Sequence, residues 1–135
     1  MFLNLLNESE KHVFISLAIR AAESNGVVEK EEIELINDYC REMMLNKIDV
    51  EKYIPESMEN IVEILSSSEK SHKKIVLFEI MGLLNVDSEF DEKEKNFIYE
   101  FGLQIGIKNE ELDQLRGSLD RYLKVVNYVT EELMK

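Results

Sequence analysis

The chain has 135 residues, of which 44% are hydrophobic and 33% are charged, so its length and apolar content suit one compact domain that needs no metal or disulfide to fold. Its 28 acidic residues outnumber its 16 basic residues and give a formal net charge of -12, which argues against nucleic acid and anionic lipid as partners. The single cysteine, Cys40, excludes an intramolecular disulfide and predicts a reducing, cytoplasmic location.

Few residues of the chain favour turns. One proline and five glycines are too few for an all-β protein, so we expect an all-α fold of about six to seven helices. The apolar segment from Met1 to Leu6 lacks a basic leader, and charges interrupt every helix-length window of the sequence. We therefore predict neither a signal peptide nor a membrane-spanning helix.

Two helices are predicted in the first third of the chain. Asn7 is placed to cap a helix that runs to about Ser24, because apolar residues recur behind it at spacings of three and four. Asn25 and Gly26 stop this helix. A second amphipathic helix is predicted from about Lys30 to Leu45.

Two further helices are predicted in the middle of the chain. Pro55 is placed to open the third helix, which ends in the serine run 66–68. Ser68 is placed to cap the fourth helix, which is apolar on almost all sides around Ile80. A helix of that kind is covered by neighbours on most sides, so we expect it at the centre of the bundle.

The last two helices have clear start signals. Asp91 and Glu94 have the spacing of a reciprocal N-terminal cap for the fifth helix, which Gly106 ends. Asn109 is placed to cap the sixth helix. Over more than five turns, one face of this helix carries Leu112, Leu115, Leu119, Tyr122, Val126 and Val129.

The sequence contains an internal repeat with an offset of 62 residues. The offset aligns residues 25–32 with residues 87–94, and apolar positions of the flanking helices also align. Each copy reads as helix, polar loop, helix. We therefore predict a single domain, 1–135, in which two pseudo-repeated helical hairpins, about 10–47 and 72–109, are linked by 48–71.

The loop of the first copy resembles a known family. Residues 21–28, Ala-Ala-Glu-Ser-Asn-Gly-Val-Val, followed by Glu32, are similar to the loop of the TerB-like domain of the tellurite-resistance family. That loop has Asp-Gly after an alanine-rich helix and a Glu seven positions after the Asp. The second copy, 87–91 with Glu94, keeps the Asp and the Glu but lacks the Gly, and the resemblance spans about residues 10 to 107.

This resemblance implies an all-helical duplicated domain of bacterial stress systems, in which acidic residues are suspected of binding a divalent metal. The corresponding positions are Asp87 and Glu94 in the second loop and Asn25 and Glu32 in the first. Asn25 replaces the family's Asp and removes one charge, so the second loop is the stronger candidate for calcium, magnesium or manganese.

The same carboxylates also have a purely structural interpretation. Glu29 with Glu32, and Asp91 with Glu94, stand where acidic side chains cap helices and interact favourably with the helix dipole. An EF-hand is excluded, because the twelfth position counted from Asp87 is Ile98 rather than a bidentate Glu. The sequence leaves both interpretations open, a weak cation site and a pair of caps.

No catalytic constellation is recognisable in the sequence. His12 and His72 lie near predicted helix starts on polar faces, and no metal-ligand spacing accompanies them. Cys40 occupies an inner helix position and reads as a small core residue. We therefore predict that the protein is not an enzyme.

The leading functional hypothesis is a non-enzymatic binding or scaffolding module related to stress or tellurite resistance. Its ligand is a divalent cation, or a protein with a basic surface that docks on the acidic stretch from Glu29 to Asp38. One alternative is a metal-dependent enzyme or enzyme subunit that uses the acidic loops. Another is a structural adaptor that binds a partner helix between the hairpins, which exposed apolar side chains within residues 1–6 would favour.

Overall fold

The computed structural model describes residues 2–85 and 91–135. Within these residues the chain forms six α-helices and two short 3-10 turns and has no β-strand, which confirms the all-α prediction. The turns are Leu3–Leu5 and Glu23–Asn25, and the helices are α1 (Glu8–Ala22), α2 (Lys30–Glu42), α3 (Met58–Ser66), α4 (Lys70–Leu84), α5 (Glu92–Gln104) and α6 (Asn109–Leu133).

Reciprocal caps fix the starts of α1 and α5. The Asn7 side chain accepts a hydrogen bond from the Glu10 amide at 2.9 Å, and the Glu10 carboxylate accepts one from the Asn7 amide at 2.8 Å. Asp91 and Glu94 form the same pair at the start of α5. Both caps satisfy amides that have no partner within the helix, which confirms Asn7 and Asp91 as caps.

Three predicted helix starts are wrong by one to three residues. The first turn of α3 is capped by the Ser57 hydroxyl, and Pro55 lies outside the helix. The cap position of α4 is Glu69, because the Ser68 hydroxyl donates to the Ile64 carbonyl of the preceding helix at 3.5 Å. In α6 the residue predicted as the cap, Asn109, is already the first helical residue.

Two helices, α1 and α4, occupy the centre of the bundle. The first packs against α2, α3, α4 and α5, and the second against α1, α2, α5 and α6. The central position of α4 is as predicted. The equally buried position of α1 was not expected, since Ile15 and Ile19 are buried although they lie outside the apolar stripe, Val13, Phe14, Leu17, Ala18 and Ala21, that repeats at spacings of three and four. The buried side chains of these two helices include Val13, Phe14, Ile15, Leu17, Ile19, Val76, Leu77, Ile80, Met81, Leu83 and Leu84.

The helix bounds follow the 62-residue offset of the sequence. The bounds of α4 lie 62 residues after those of α1, and the bounds of α5 lie 62 residues after those of α2. Glu10 and His72 occupy equivalent positions under this offset and touch each other, with Glu10 Oε1 and His72 Nδ1 2.8 Å apart. Equivalent residues of two related halves meet only near the axis that relates them, so this contact lies close to that axis.

The C-terminal ends of α2 and α5 also match. The Leu45 amide donates to the Cys40 carbonyl at 2.7 Å, and the equivalent hydrogen bond after α5 measures 2.8 Å. In each case the residue before the donor is left-handed, with φ of 60° at Met44 and 92° at Gly106. Both helices therefore end in the same left-handed turn, with glycine in one copy and methionine in the other.

The last helix, α6, extends beyond the bundle. Its first turns contribute Leu112 and Leu119 to the core, but every residue from Asp120 to Lys135 is exposed. The apolar face predicted over more than five turns is therefore covered only in its first part. Among residues 2–85 and 91–135, no helix has both the length and the hydrophobicity needed to cross a bilayer.

Candidate functional site

Two interhelical loops deliver a glutamate to the first turn of the helix that follows. The Glu29 amide donates to Glu32 Oε1 at 2.9 Å at the start of α2. The Asp91 amide donates to Glu94 Oε1 at 3.3 Å at the start of α5, and the Glu94 amide donates to Asp91 Oδ1 at 2.8 Å. One oxygen of each glutamate thus has a structural role as part of a cap.

Both glutamates are removed from solvent. Glu32 is 0% exposed and Glu94 is 1% exposed, although carboxylates are rarely buried completely in proteins. The positive end of the helix dipole stabilises their charge at this position. Burial and capping together hold each carboxylate in one orientation. A helix cap has this fixed orientation, and so does a side chain that is preorganised to bind a metal ion.

The other two predicted site residues are described less fully. Asp87 lies in segment 86–90, outside the described residues, as do the other loop residues before Asp91. Asn25 is the last residue of the 3-10 turn Glu23–Asn25, and its backbone runs into Gly26 with φ of 101°. This turn packs against α5, so the first loop lies beside the helix that begins with the Glu94 cap.

The carboxylates of the described residues do not by themselves form a metal centre. In residues 2–85 and 91–135 no group of three or more His, Cys, Asp or Glu side chains is arranged so that it could hold a metal ion. The first loop has Glu29, Glu31 and Glu32 as nearby carboxylates in sequence, and Glu31 is exposed. A cation site at the second loop needs Asp87 or Glu89 in addition to Asp91 and Glu94.

A third buried glutamate belongs to a cluster that the sequence interpretation missed. Glu10 is 2% exposed and lies 2.8 Å from His72 Nδ1, so it joins α1 to the start of α4. Burial raises the pKa of Glu10, but hydrogen bonds from the Ser68 hydroxyl, the Asn7 amide and His72 outweigh it and lower this pKa below its usual value. Of the two histidines, His12 is exposed, whereas the contact with Glu10 leaves His72 only partly exposed.

This cluster had one recognisable signal in the sequence. Asn7 and Glu10 have the spacing of a capping box, a pattern from which a carboxylate at this place could have been predicted. The contact with His72 joins residues 62 positions apart and depends on the tertiary fold. The cluster lines a shallow polar cleft with Ser67 and Glu69, and its hydrogen bonds connect helices rather than face a substrate.

The single cysteine is a core residue, as predicted. Cys40 is completely buried on the inner face of α2, and burial raises the pKa of its thiol. A buried thiol of raised pKa carries little thiolate and is a poor nucleophile.

The acidic face of α2 is partly neutralised within the helix. Glu31, Glu34 and Asp38 are exposed, as expected of a solvated face. However, Lys30 Nζ lies 4.0 Å from a Glu34 carboxylate oxygen, and Arg41 forms an ion pair with Asp38. These pairs reduce the local negative charge that a basic partner protein would meet.

The N-terminal segment meets the expectation of the adaptor hypothesis only in part. Leu3 and Leu6 are buried in the core, and the Leu3 amide donates to Glu42 Oε2 at 2.8 Å. Phe2 and Leu5 remain exposed, and Met1 lies outside the described residues.

The fold is similar to that of a protein of known structure. It matches the crystal structure of a tellurite resistance protein from Nostoc punctiforme with a TM-score of 0.69 and 20% sequence identity, over 96% of this chain and 82% of that chain. No protein-family model matches the sequence, and no curated protein matches it significantly. The similarity confirms the TerB-like resemblance at the level of the fold.

Proposed function

We propose that this chain is a non-enzymatic binding module whose second interhelical loop binds a divalent cation through Asp87, Asp91 and Glu94. The observation that carries the proposal is the state of Glu94, whose carboxylate is buried and held by the Asp91 amide at 3.3 Å. A carboxylate that is already desolvated and oriented loses little entropy when a cation binds. Calcium, magnesium and manganese are the ions that prefer such oxygen ligands.

The two loops are expected to differ in affinity. The second loop has Asp87, Glu89, Asp91 and Glu94 within eight residues, whereas the first loop has an amide, Asn25, at the position equivalent to Asp87. Affinity for hard cations rises with the number of charged ligands. We therefore place the tighter site at the second loop and a weaker one, with Asn25 and Glu32, at the first.

The position of the site limits its affinity. Glu94 lies in the first turn of α5, where the helix dipole is positive and repels a cation. One oxygen of this carboxylate also accepts the cap hydrogen bond. We therefore expect a cation that binds weakly and stabilises the folded loop, and not a catalytic metal.

The biological role of the chain is proposed from the similarity of its fold to that of another protein. The structural neighbour is a tellurite resistance protein, and we propose that this chain also acts in tellurite resistance. Because one fold serves many functions, this part of the proposal needs its own test. Expression of the chain in a tellurite-sensitive bacterium should raise survival on tellurite, and unchanged survival would contradict this part of the proposal.

Thermal unfolding with and without ions tests the cation site. A ligand that binds only the folded chain raises the unfolding temperature in proportion to the logarithm of its concentration. We expect millimolar calcium or manganese, compared with chelator, to raise it by roughly 2–4 °C, because an ion at about five times its dissociation constant stabilises the folded chain by about 1 kcal/mol. Glu94→Gln should lose this rise.

The first loop provides the matched control. Glutamine keeps the oxygen that accepts the cap hydrogen bond, so Glu32→Gln and Glu94→Gln change equivalent caps in the same way. Only Glu94→Gln and Asp87→Asn should remove most of the ion-dependent shift. An equal loss in Glu32→Gln, or no shift in the unsubstituted chain, would contradict the assignment to the second loop.

A further inference from the structure

The outer half of α6 carries an apolar face that the described part of the chain leaves largely exposed. Leu112 and Leu119 are buried and Leu115 packs against the core, but beyond Leu119 every residue is exposed. Leu133 is 77% exposed. Along the helix, the apolar positions follow alternating steps of three and four residues through Leu112, Leu115, Leu119, Tyr122, Val126, Val129 and Leu133.

This alternation is the spacing by which helices pair with other helices. Apolar residues that recur every 3.5 residues on average form the seam of a coiled coil. The first three positions are used within the molecule. The last four, of which Tyr122 also touches Phe78, continue the same seam over roughly 16 Å of helix. An isolated helix of that length is marginally stable in water, so a second helix on this face would stabilise it.

We propose that this face pairs, in antiparallel orientation, with the same face of a second copy of the chain. The charge of the outer half of α6 indicates that the partner on this face is a second copy. The chain as a whole carries a net charge of -12, which opposes self-association through most of its surface. The outer half of α6 is balanced, because residues 120–135 contain three acidic and three basic side chains, Asp120, Glu131 and Glu132 against Arg121, Lys124 and Lys135.

The order of the charges sets the orientation. Arg121 and Glu132 are eleven residues apart, about three turns, so they lie on the same flank of the apolar face. When two copies run in opposite directions, Arg121 of each copy approaches Glu132 of the other. A parallel pair would instead place each charge beside its own like charge, which is destabilising.

The apolar residues fit the same register. An antiparallel pair centred between positions 127 and 128 places Val126 opposite Val129 and Tyr122 opposite Leu133. Leu133 and Met134 of the second copy then reach the groove between α4 and α6. That groove is almost entirely apolar and is lined by Phe2, Ile75, Phe78, Leu115 and Tyr122.

The aromatic rings of this groove are already arranged as a packing surface. Phe78 lies 6.0 Å from Phe2 and 6.4 Å from Tyr122, measured between ring centroids. By symmetry the pair fills two such grooves, one on each copy. The grooves add buried apolar area to an interface that a short helix pair alone would leave small.

Sedimentation equilibrium of the full chain tests the pairing. We expect a species with twice the mass of the chain, in reversible equilibrium with the monomer. Val126→Glu, in the centre of the seam, should raise the dimer dissociation constant by about tenfold or more, since each copy would place an unpaired carboxylate against Val129 of the other copy in an apolar interface. Tyr128→Glu is the matched control, because Tyr128 is also exposed but lies about 200° around the helix from Val126.

Charge reversal tests the orientation. Arg121→Glu and Glu132→Arg should each weaken the dimer several-fold, and the double variant should restore it, because only an antiparallel pair joins these positions. Circular dichroism checks that each variant keeps its helical content. A monomeric unsubstituted chain, a dimer unaffected by Val126→Glu, or equal effects of Val126→Glu and Tyr128→Glu would overturn the proposal.

Discussion

Three glutamates at equivalent places in their helices, Glu10, Glu32 and Glu94, are each almost completely buried. Each is the third helical residue and returns one oxygen to the amide of its cap residue. The three glutamates differ in their contacts outside the cap. Glu10 has His72 at 2.8 Å and a hydrogen bond from Ser68, which makes it a structural link between two helices.

The Glu10 cluster predicts a pH dependence of stability. A carboxyl pKa that is lowered in the folded state contributes stability at pH values above its usual value of 4.5 and loses that contribution as the pH falls through the folded-state pKa. Glu10→Gln lacks this carboxylate. The stability difference between the unsubstituted chain and the variant should therefore shrink as the pH falls below about 4.5.

Urea unfolding at a series of pH values measures this difference. Glu59→Gln, which changes an exposed first-turn carboxylate of α3, controls for the loss of one negative charge. If the two variants show the same pH profile, the Glu10 cluster has no special role in stability.

At the scale of an element, the two left-handed helix ends offer a matched comparison. Gly106 adopts φ of 92° without strain, whereas Met44, with φ of 60°, carries a side chain in a conformation that disfavours it. Met44 is 92% exposed, so its side chain contributes little packing. We expect Met44→Gly to stabilise the chain by about 0.5–1 kcal/mol and Gly106→Ala to destabilise it by about 1–2 kcal/mol.

Denaturant unfolding checks the direction of both stability changes. A Cβ at Gly106 would meet only the Lys73 Nζ atom, at 3.6 Å, which is an ordinary contact. The expected loss in Gly106→Ala is thus a backbone effect and not a steric clash. A less stable Met44→Gly variant would contradict this account of the helix end.

The accuracy of the sequence predictions varied between elements for physical reasons. Caps such as Asn7 and Asp91 depend on side chains within three residues, so the sequence predicted them correctly. Ser68 was predicted wrongly as a cap because its hydroxyl contacts the Ile64 carbonyl of the preceding helix and the Glu10 carboxylate, which is distant in sequence. For α6 the periodicity identified the apolar face, but periodicity does not reveal which part of a face is covered.

At the scale of the whole molecule, the fold was predictable because it is repeated. The 62-residue offset aligns the bounds of α1 with α4 and of α2 with α5, and the contact between Glu10 and His72 lies where the two halves meet. The candidate site was less predictable. Helix starts place Glu32 and Glu94, but the relative positions of carboxylates from different loops depend on tertiary packing.

The two halves are nevertheless unequal in charge, and this inequality is central to the proposed function. Asn25 stands in the first loop where Asp87 stands in the second. If the module binds a divalent cation, the halves should therefore bind it with different affinities.

Titration with manganese, monitored by electron paramagnetic resonance of the unbound ion, measures this difference in affinity most directly. We predict that the first ion to bind is held by the second loop, so Glu94→Gln should lose the tighter binding and Glu32→Gln should keep it. No binding at millimolar manganese, or equal losses in the two variants, would contradict the account.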